Sequence, residues 1–260
     1  MLFPFPSMQE IMVGLLIFLR VSALIILIPV LGNNVVPGQV KAGLIVLITI
    51  ILYPVVAAQV PVIPPDPLLF FLFGVQEILI AGILAFMGQL VFTAVQFAGQ
   101  LISYQMGMSI ANVFDPATSA QGAVVAQLVS VLAMLMWLSV GAHHVFILAL
   151  ADSFSSLPMG SPWSISGWHV LNDAAAHMFE LGLRLAAPVL LLLFFVYVAL
   201  GLVSRAVPQI QVFFVSFPLT VGLGLLTLAL SLPAFMSLVH DGFSALNDDV
   251  PFFLRRLSGN

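Results

Sequence analysis

The chain contains no cysteine and few charged residues, and both absences restrict what it can do. Without cysteine it forms no disulfide, no cysteine-based zinc site and no thiol nucleophile, and its redox compartment is left undetermined. Only 6% of its 260 residues are charged and 62% are hydrophobic, whereas soluble proteins average about 25% charged and about 45–50% apolar residues. A soluble domain of this composition would aggregate, so the sequence predicts a membrane protein or a member of a larger apolar assembly.

Basic patches and catalytic motifs are also missing. The net charge of −4 is spread thinly, without a basic tail or stripe, so we expect no nucleic-acid partner. Neither a glycine-rich phosphate loop nor a metalloprotease motif occurs. His143 and His144 are adjacent, but Asp152 is the one carboxylate near them, which favours hydrogen-bonded histidines at a helix end over a metal site. The sequence therefore predicts a protein that is not an enzyme and binds no cofactor or metal.

Long apolar runs make up most of what is present. We interpret them as helices, because no stretch alternates as a strand does and a membrane span needs about 20 apolar residues. The runs are Ile11–Leu31, Ala42–Ile63, Leu68–Tyr104, Ala123–Leu150, Met178–Val203 and Val212–Val239. The prolines inside them, which predict bent or broken helices, are Pro29, Pro54, Pro188, Pro218 and Pro233. The sequence thus predicts an all-α membrane protein of about six apolar, proline-kinked segments, the last two forming a hairpin.

Four charged residues lie inside these runs. Arg20 and Glu77 each stand within an apolar segment, where an unpaired charge costs several kcal/mol. We expect them to meet each other or a charge of a partner chain; the alternative is an arginine that snorkels or lies at a helix break near the surface. Glu180 and Arg184 have the i, i+4 spacing, acid first, that suits a helical ion pair near a helix start. All four are predicted to be buried charges that serve folding or assembly.

Two further stretches have unusual composition. Ala94, Ala98 and Gly99 lie on one run at a spacing that lets helices approach closely, although small residues are also common in membrane helices generally. Residues 104–122 are apolar and rich in Gly, Ser, Ala and Met, with Asp115 as the one charge. Glycine permits conformations that other residues avoid, and methionine adapts its shape. The composition is compatible with a packed connecting loop and with a movable stopper inside a conduit.

A set of short motifs runs along nearly the whole chain. Residues 104–109 read Tyr-Gln-Met-Gly-Met-Ser, and 114–116 read Phe-Asp-Pro. The other patches are Pro29 with Pro37 and Lys41, Gly141-Ala-His-His144, Asp152-Ser-Phe154 with Leu157-Pro158, and Gly201-Leu-Val-Ser-Arg205-Ala-Val-Pro208-Gln209. In this order the set resembles the FliR family of bacterial flagellar export components. The related injectisome subunit shares much of the pattern.

The resemblance implies a core subunit of the flagellar type III export gate, in the bacterial inner membrane at the flagellar basal body. Such a subunit helps form and plug the channel through which unfolded flagellar proteins leave. Its partners would be FliP and FliQ subunits in a hetero-oligomer, together with FlhB, FlhA and membrane lipid. Its helices would lie largely above the bilayer plane. A small-solute secondary transporter and the injectisome counterpart of the gate are the alternatives.

The resemblance also assigns parts of the chain to roles. Residues 1–260 would be one subunit, with a FliP-like part at 1–177 and a FliQ-like hairpin and tail at 178–260. The loop at 104–122 would carry the stopper, hinged at its glycines and sealed by its apolar side chains. The stopper residues are Met106, Gly107, Met108, Ile110, Val113, Phe114, Asp115, Pro116 and Gly122. The tip of the hairpin would contain Arg205, Pro208 and Gln209.

Overall fold

The described part of the chain is helical. The computed structural model describes residues 7–32, 36–58, 63–64, 66–108, 124–161, 168–207 and 212–257. Within these ranges there is no β-strand. The helices are α1 (Met8–Leu27), α2 (Gly38–Ala57), α3 (Pro67–Gln105), α4 (Val124–Val140), α5 (Ala142–Ser156), α6 (Trp168–Ala206) and α7 (Val212–Leu257). The all-α fold predicted from the apolar runs is confirmed.

Five of these helices, α1, α2, α3, α6 and α7, are long and apolar enough to cross a membrane. Together α4 and α5 would supply a sixth crossing, as a pair bent by 63°. The prediction of about six apolar segments is therefore confirmed. Helices α3 and α6 have 39 residues each and α7 has 46, whereas about 20 residues cross the hydrocarbon core. These three helices must therefore tilt or extend beyond a bilayer of ordinary thickness.

The bend between α4 and α5 corrects the prediction of one continuous segment over Ala123–Leu150. Gly141 separates the two helices in the left-handed conformation, with φ of 72°. Glycine adopts this conformation at little cost because it has no Cβ. The Gly141 carbonyl then accepts a hydrogen bond from the backbone N–H of His144 at 2.9 Å, which starts α5 in a new direction.

Prolines act differently in different helices. Helix α1 ends before Pro29, and its C-cap residue Ile28 has the extended conformation that a residue preceding proline prefers. In contrast, α2 continues through Pro54 and α6 through Pro188. Helix α7 likewise includes Pro218 and Pro233. The break between α4 and α5 therefore falls at a glycine, whereas α1 and α5 each end at a C-cap residue that directly precedes a proline, Pro29 or Pro158.

The two helices that carry the buried charges begin at caps that the sequence specifies. At the start of α1, Glu10 N–H donates to Ser7 Oγ at 3.3 Å, and Ser7 N–H donates to Glu10 Oε2 at 2.7 Å. This is a capping box, which satisfies two backbone donors reciprocally. Helix α3 starts with Pro67 in the first position, where its missing N–H costs nothing. Asp66 precedes it and accepts from Leu68 N–H at 2.9 Å.

The chain divides into two compact units. The first comprises residues 1–89, 141–174 and 245–260, and the second comprises residues 90–140 and 175–244. Fully buried core residues of the first unit include Leu16, Ile17, Val21, Phe146, Leu150 and Phe253. Those of the second include Val95, Ala98, Ile102, Val129, Trp137, Leu193 and Val239. The predicted division at 177/178 is of another kind, based on family resemblance, and stays a prediction.

Many large apolar side chains of the isolated chain are exposed to solvent. Helix α2 buries only Ile45 and Val56. Its exposed apolar side chains include Val46, Leu47, Ile50, Ile51 and Val55. Helices α6 and α7 expose further ones, among them Leu191, Phe194, Phe195, Phe214, Leu226 and Leu230. An apolar surface of this extent marks a protein that meets lipid or other chains.

Candidate functional site

A buried ion pair lies in the first compact unit. Arg20 of α1 donates from Nε to Oε2 of Glu77 on α3, and both side chains are completely buried. The sequence left open this pair, pairs with charges of a partner chain, and an arginine that snorkels or lies at a helix break near the surface. The structure contains the first of these arrangements, the pair between Arg20 and Glu77. Pairing makes the site neutral overall, which is the condition under which charged side chains persist in an apolar interior.

Arg20 also binds the end of α5. Its Nη1 donates to Ser153 Oγ at 3.0 Å and its Nη2 donates to the Leu157 carbonyl at 3.1 Å. The guanidinium lies 4.2 Å from the centre of the Phe154 ring, a cation–π contact. Leu157 is the C-cap of α5, and the last carbonyls of a helix lack intrahelical donors. Arg20 therefore ties α1, α3 and the C-terminus of α5 together.

Within the described residues Glu77 is less completely satisfied than Arg20. Its Oε1 is buried and accepts no hydrogen bond there, while its Oε2 binds Arg20. Because an unpaired carboxylate would be far costlier to bury than one with a positive partner, the stability of Glu77 in this position depends on Arg20. The three groups around the guanidinium, at Ser153, Phe154 and Leu157, belong to the sequence motif at 152–158, but residue type alone gave no reason to connect them with Arg20.

Glu180 and Arg184 are placed differently. They form the expected i, i+4 ion pair, but their side chains are 51% and 63% exposed. The prediction that they lie buried is wrong for the chain by itself. They also lie well inside α6, which begins at Trp168 rather than near Met178. An exposed pair of this kind stabilises a helix by only about 0.3–0.5 kcal/mol.

In the second unit, the C-terminus of α3 ends in a Schellman motif. Gly107 has φ of 80°. Its N–H donates to the Tyr104 carbonyl at 3.0 Å, and Met108 N–H donates to the Ser103 carbonyl at 3.1 Å. These two bonds and a glycine in the left-handed conformation define the motif. Gly107, predicted as a hinge, is therefore the capping residue of a closed helix end.

Met106 lies in a closely fitting site beside this cap. Its side chain is fully buried. Its carbonyl accepts from Thr220 Oγ1 of α7 at 3.0 Å, and the preceding carbonyl, of Gln105, accepts from Tyr197 OH of α6 at 2.7 Å. A Cβ placed on Gly224 of α7 would lie 2.5 Å from Met106 Cε. Helices α6 and α7 thus both contact the last turn of α3.

The start of α4 is also held closely against α3. A Cβ on Gly99 would lie 2.5 Å from Ala126 Cα and 2.8 Å from Val129 Cγ2. Ala94 and Ala98 are fully buried, so the predicted packing by small residues on this run is confirmed. The Gly99 carbonyl accepts from Ser103 Oγ at 2.8 Å. Both ends of the 109–123 segment therefore join helices that are packed in the same unit.

Other predicted residues fall outside the described ranges or far from these clusters. Ile110, Val113, Phe114, Asp115, Pro116 and Gly122 lie outside the described residues, as do Pro208 and Gln209. Arg205 lies in the last turn of α6, where a cation suits the negative end of the helix dipole. His144 Nδ1 lies 3.2 Å from the Gly141 carbonyl. In the described part, no three His, Asp or Glu side chains stand together as a metal site requires.

Comparisons with known proteins match almost the entire length of this chain to bacterial export proteins. The family described as "Bacterial export proteins, family 1" matches residues 11–246. The flagellar biosynthetic protein FliR of Pectobacterium carotovorum subsp. carotovorum is 36% identical over 244 residues, covering 94% of this chain and 93% of that protein. FliR of Escherichia coli K12 is 38% identical over 232 residues, covering 88% and 87%. Yop proteins translocation protein T of Yersinia pestis is 26% identical over 222 residues, covering 84% and 85%. The chain therefore belongs to family 1 of the bacterial export proteins, together with the flagellar protein FliR.

Proposed function

We propose that this chain is a core subunit of the flagellar type III protein export gate. The observation that carries the proposal is similarity along the full length to FliR proteins, at 36% and 38% identity in two cases. The apolar helices are consistent with a membrane-embedded export component. The subunit lies in the bacterial inner membrane, at the flagellar basal body. The subunit is not an enzyme and acts by its shape and surface.

The exposed apolar faces support assembly with other chains. Helices α6 and α7 expose large apolar side chains along much of their length. FliP and FliQ subunits cover these faces in a hetero-oligomer, and FlhB and FlhA bind the same assembly. Membrane lipid covers what remains. Residues 1–177 form the FliP-like part and residues 178–260 the FliQ-like hairpin, whose tip carries Arg205, Pro208 and Gln209.

Residues 104–122, which begin in the last turn of α3, supply the stopper of the gate. A closed export channel must hold back ions and small solutes and still let an unfolded chain pass. Apolar side chains at a constriction exclude water and ions by dewetting. The segment contains Ile110, Val113 and Phe114 for this purpose, and its Asp115-Pro116 sequence is typical of turns. The packed ends of α3 and α4 support the proposal, because a flexible stopper needs fixed ends.

The rival functions are less well supported. A secondary transporter binds its solute or coupling ion at polar groups near the middle of the membrane. The two described buried charges, Arg20 and Glu77, instead pair with each other, and the Arg20 guanidinium also binds Ser153 and the Leu157 carbonyl. An injectisome subunit is the nearer rival. The relative from Yersinia pestis is 26% identical, compared with 36% and 38% for the two FliR proteins.

Removing the gene for this chain from its bacterium tests the proposed function. We expect flagellar hook and filament proteins to disappear from the culture medium, because the export gate is incomplete. Supplying the gene again should restore their export. Normal flagellar export in the deletion strain would contradict the proposal. If flagellar export were normal and secretion of effector proteins lost, the chain would be the injectisome counterpart.

A further inference from the structure

We infer that Met106 is a fixed anchor of the stopper and takes no part in sealing the channel. The inference rests on the proposed stopper at 104–122. The sequence predicted Met106 and Met108 as sealing residues of that stopper and Gly107 as its hinge. The described contacts of these three residues belong to a closed, packed helix end. A residue that must move aside for each exported chain would be held less completely.

The backbone carbonyls carry the first argument. The last four carbonyls of a helix have no partners within it, and in α3 each of them has a partner. The Ser103 carbonyl accepts from Met108 N–H and the Tyr104 carbonyl from Gly107 N–H. The Gln105 carbonyl accepts from a tyrosine of α6, and the Met106 carbonyl from a threonine of α7. Displacing this turn would break all four bonds and would leave the buried acceptor at Met106 without its donor on α7.

The Met106 side chain carries the second argument. It is fully buried, and it occupies the space that the absence of a side chain at Gly224 provides. A Cβ there would lie 2.8 Å from Met106 Cγ and 3.2 Å from its Sδ. Both distances are shorter than an ordinary van der Waals contact. Thr220, one turn earlier on α7, is itself only 2% exposed. The Met106 side chain therefore packs directly against α7 at Gly224, where any larger residue would collide with it.

Gly107 supports the same conclusion. Its positive φ serves the Schellman motif. The conformational freedom that made it a candidate hinge is used to close the end of α3. Residues 106–108 thus stay with α3, α6 and α7 while an exported chain passes.

A reversible cross-link tests the anchor in the assembled gate. The chain has no cysteine, so the double variant Met106→Cys, Gly224→Cys carries a single thiol pair. A sulfur at the Met106 Cγ position would lie 2.8 Å from a Cβ at residue 224, within reach of a disulfide. We expect the oxidised gate to export flagellar proteins at the rate of the reduced gate. Loss of export on oxidation, restored by reduction, would overturn the inference, as would failure of the cross-link to form in the assembled gate.

A pair of matched variants tests whether the anchor affects closure. Thr220→Val with Tyr197→Phe removes the two side-chain donors and keeps the volumes. We expect amide exchange at Met106–Met108 to accelerate roughly tenfold, and the resting ion leak of the assembled gate to rise. The control is Thr227→Val with Tyr53→Phe. Thr227 Oγ1 donates within α7 to the Leu223 carbonyl at 2.8 Å, the same kind of local bond that Thr220 can make to the Phe217 carbonyl at 3.1 Å, and Tyr53 belongs to the first unit.

The inference fails if the two double variants leak equally while their gates assemble to the same extent. The stopper itself is tested separately by deleting residues 110–122. If that deletion causes no leak, the proposed function of the loop is wrong. If the deletion leaks and the Thr220 and Tyr197 variant does not, the loop is a stopper and Met106 is not its anchor.

Discussion

Replacing Arg20 with methionine while keeping Glu77 should destabilise the protein by about 3–5 kcal/mol. The change leaves the Glu77 carboxylate buried without its positive partner, and it also removes the donor to the Leu157 carbonyl at the end of α5. The effect should appear in the unfolding midpoint of the purified protein in detergent and in a reduced amount of protein in the membrane.

Arg184→Met is the matched control, because it removes an arginine from an ion pair that is exposed. We expect it to change the free energy of unfolding by no more than about 0.5 kcal/mol. Arg20→Met with Glu77→Met should recover most of the stability lost by the single change, since replacing both buried charges with apolar groups is often neutral. Equal losses for Arg20→Met and Arg184→Met would contradict the structural role of the buried pair.

Exchanging the two charges is a weaker rescue. In Arg20→Glu with Glu77→Arg, a carboxylate at position 20 would face the Leu157 carbonyl, which can only accept hydrogen bonds. The reversed pair should therefore recover less stability than the double methionine variant. The arrangement around Arg20, and not the pairing alone, determines which double variant restores the fold.

Deleting residues 110–122 should make the assembled gate leak ions and small solutes at rest. The deletion removes the apolar side chains that would keep water out of the constriction and spares the anchored turn at Met106–Met108. The leak should be measured as conductance of gates reconstituted in planar bilayers, and as loss of ion gradients in cells.

A replacement of residues 110–122 by glycine and serine of equal length serves as the companion variant. If apolar side chains make the seal, it should leak as the deletion does. If the length of the loop is what blocks the channel, only the deletion should leak. Conductance of the deleted gate that matches the unaltered gate would remove the stopper role from this loop.

The helices could be predicted well where they are apolar throughout and less well where they are amphipathic. The run that ends at Val239 continues as α7 to Leu257. Polar residues interrupt its hydrophobicity after Val239, but Phe243, Leu246, Val250 and Phe253 are buried at helical spacing. Periodicity would have extended the helix where mean hydropathy did not. The break at Gly141 could not be located, because a glycine inside an apolar run is compatible with a straight helix and with a bend.

The candidate site could also be predicted only in part from the sequence. The cost of burying charge singles out Arg20 and Glu77 from the sequence, but the distance of 57 positions between them leaves the pairing open. Ser153 and the Leu157 carbonyl could not be assigned, since a hydroxyl and a backbone oxygen have no distinctive sequence signal. Met106 appeared to be a flexible apolar residue by composition. Its role as an anchor depends on Gly224 and Thr220, more than a hundred residues further along the chain.

The composition of the particle purified through an affinity tag on this chain tests the central claim most directly. The account predicts a stable hetero-oligomer that contains FliP and FliQ subunits and covers the exposed apolar faces of α6 and α7. Imaging of that particle should place residues 110–122 inside a central passage. Purification of the chain as a monomer or homo-oligomer that is stable alone in the membrane, with this loop away from any passage, would contradict the account.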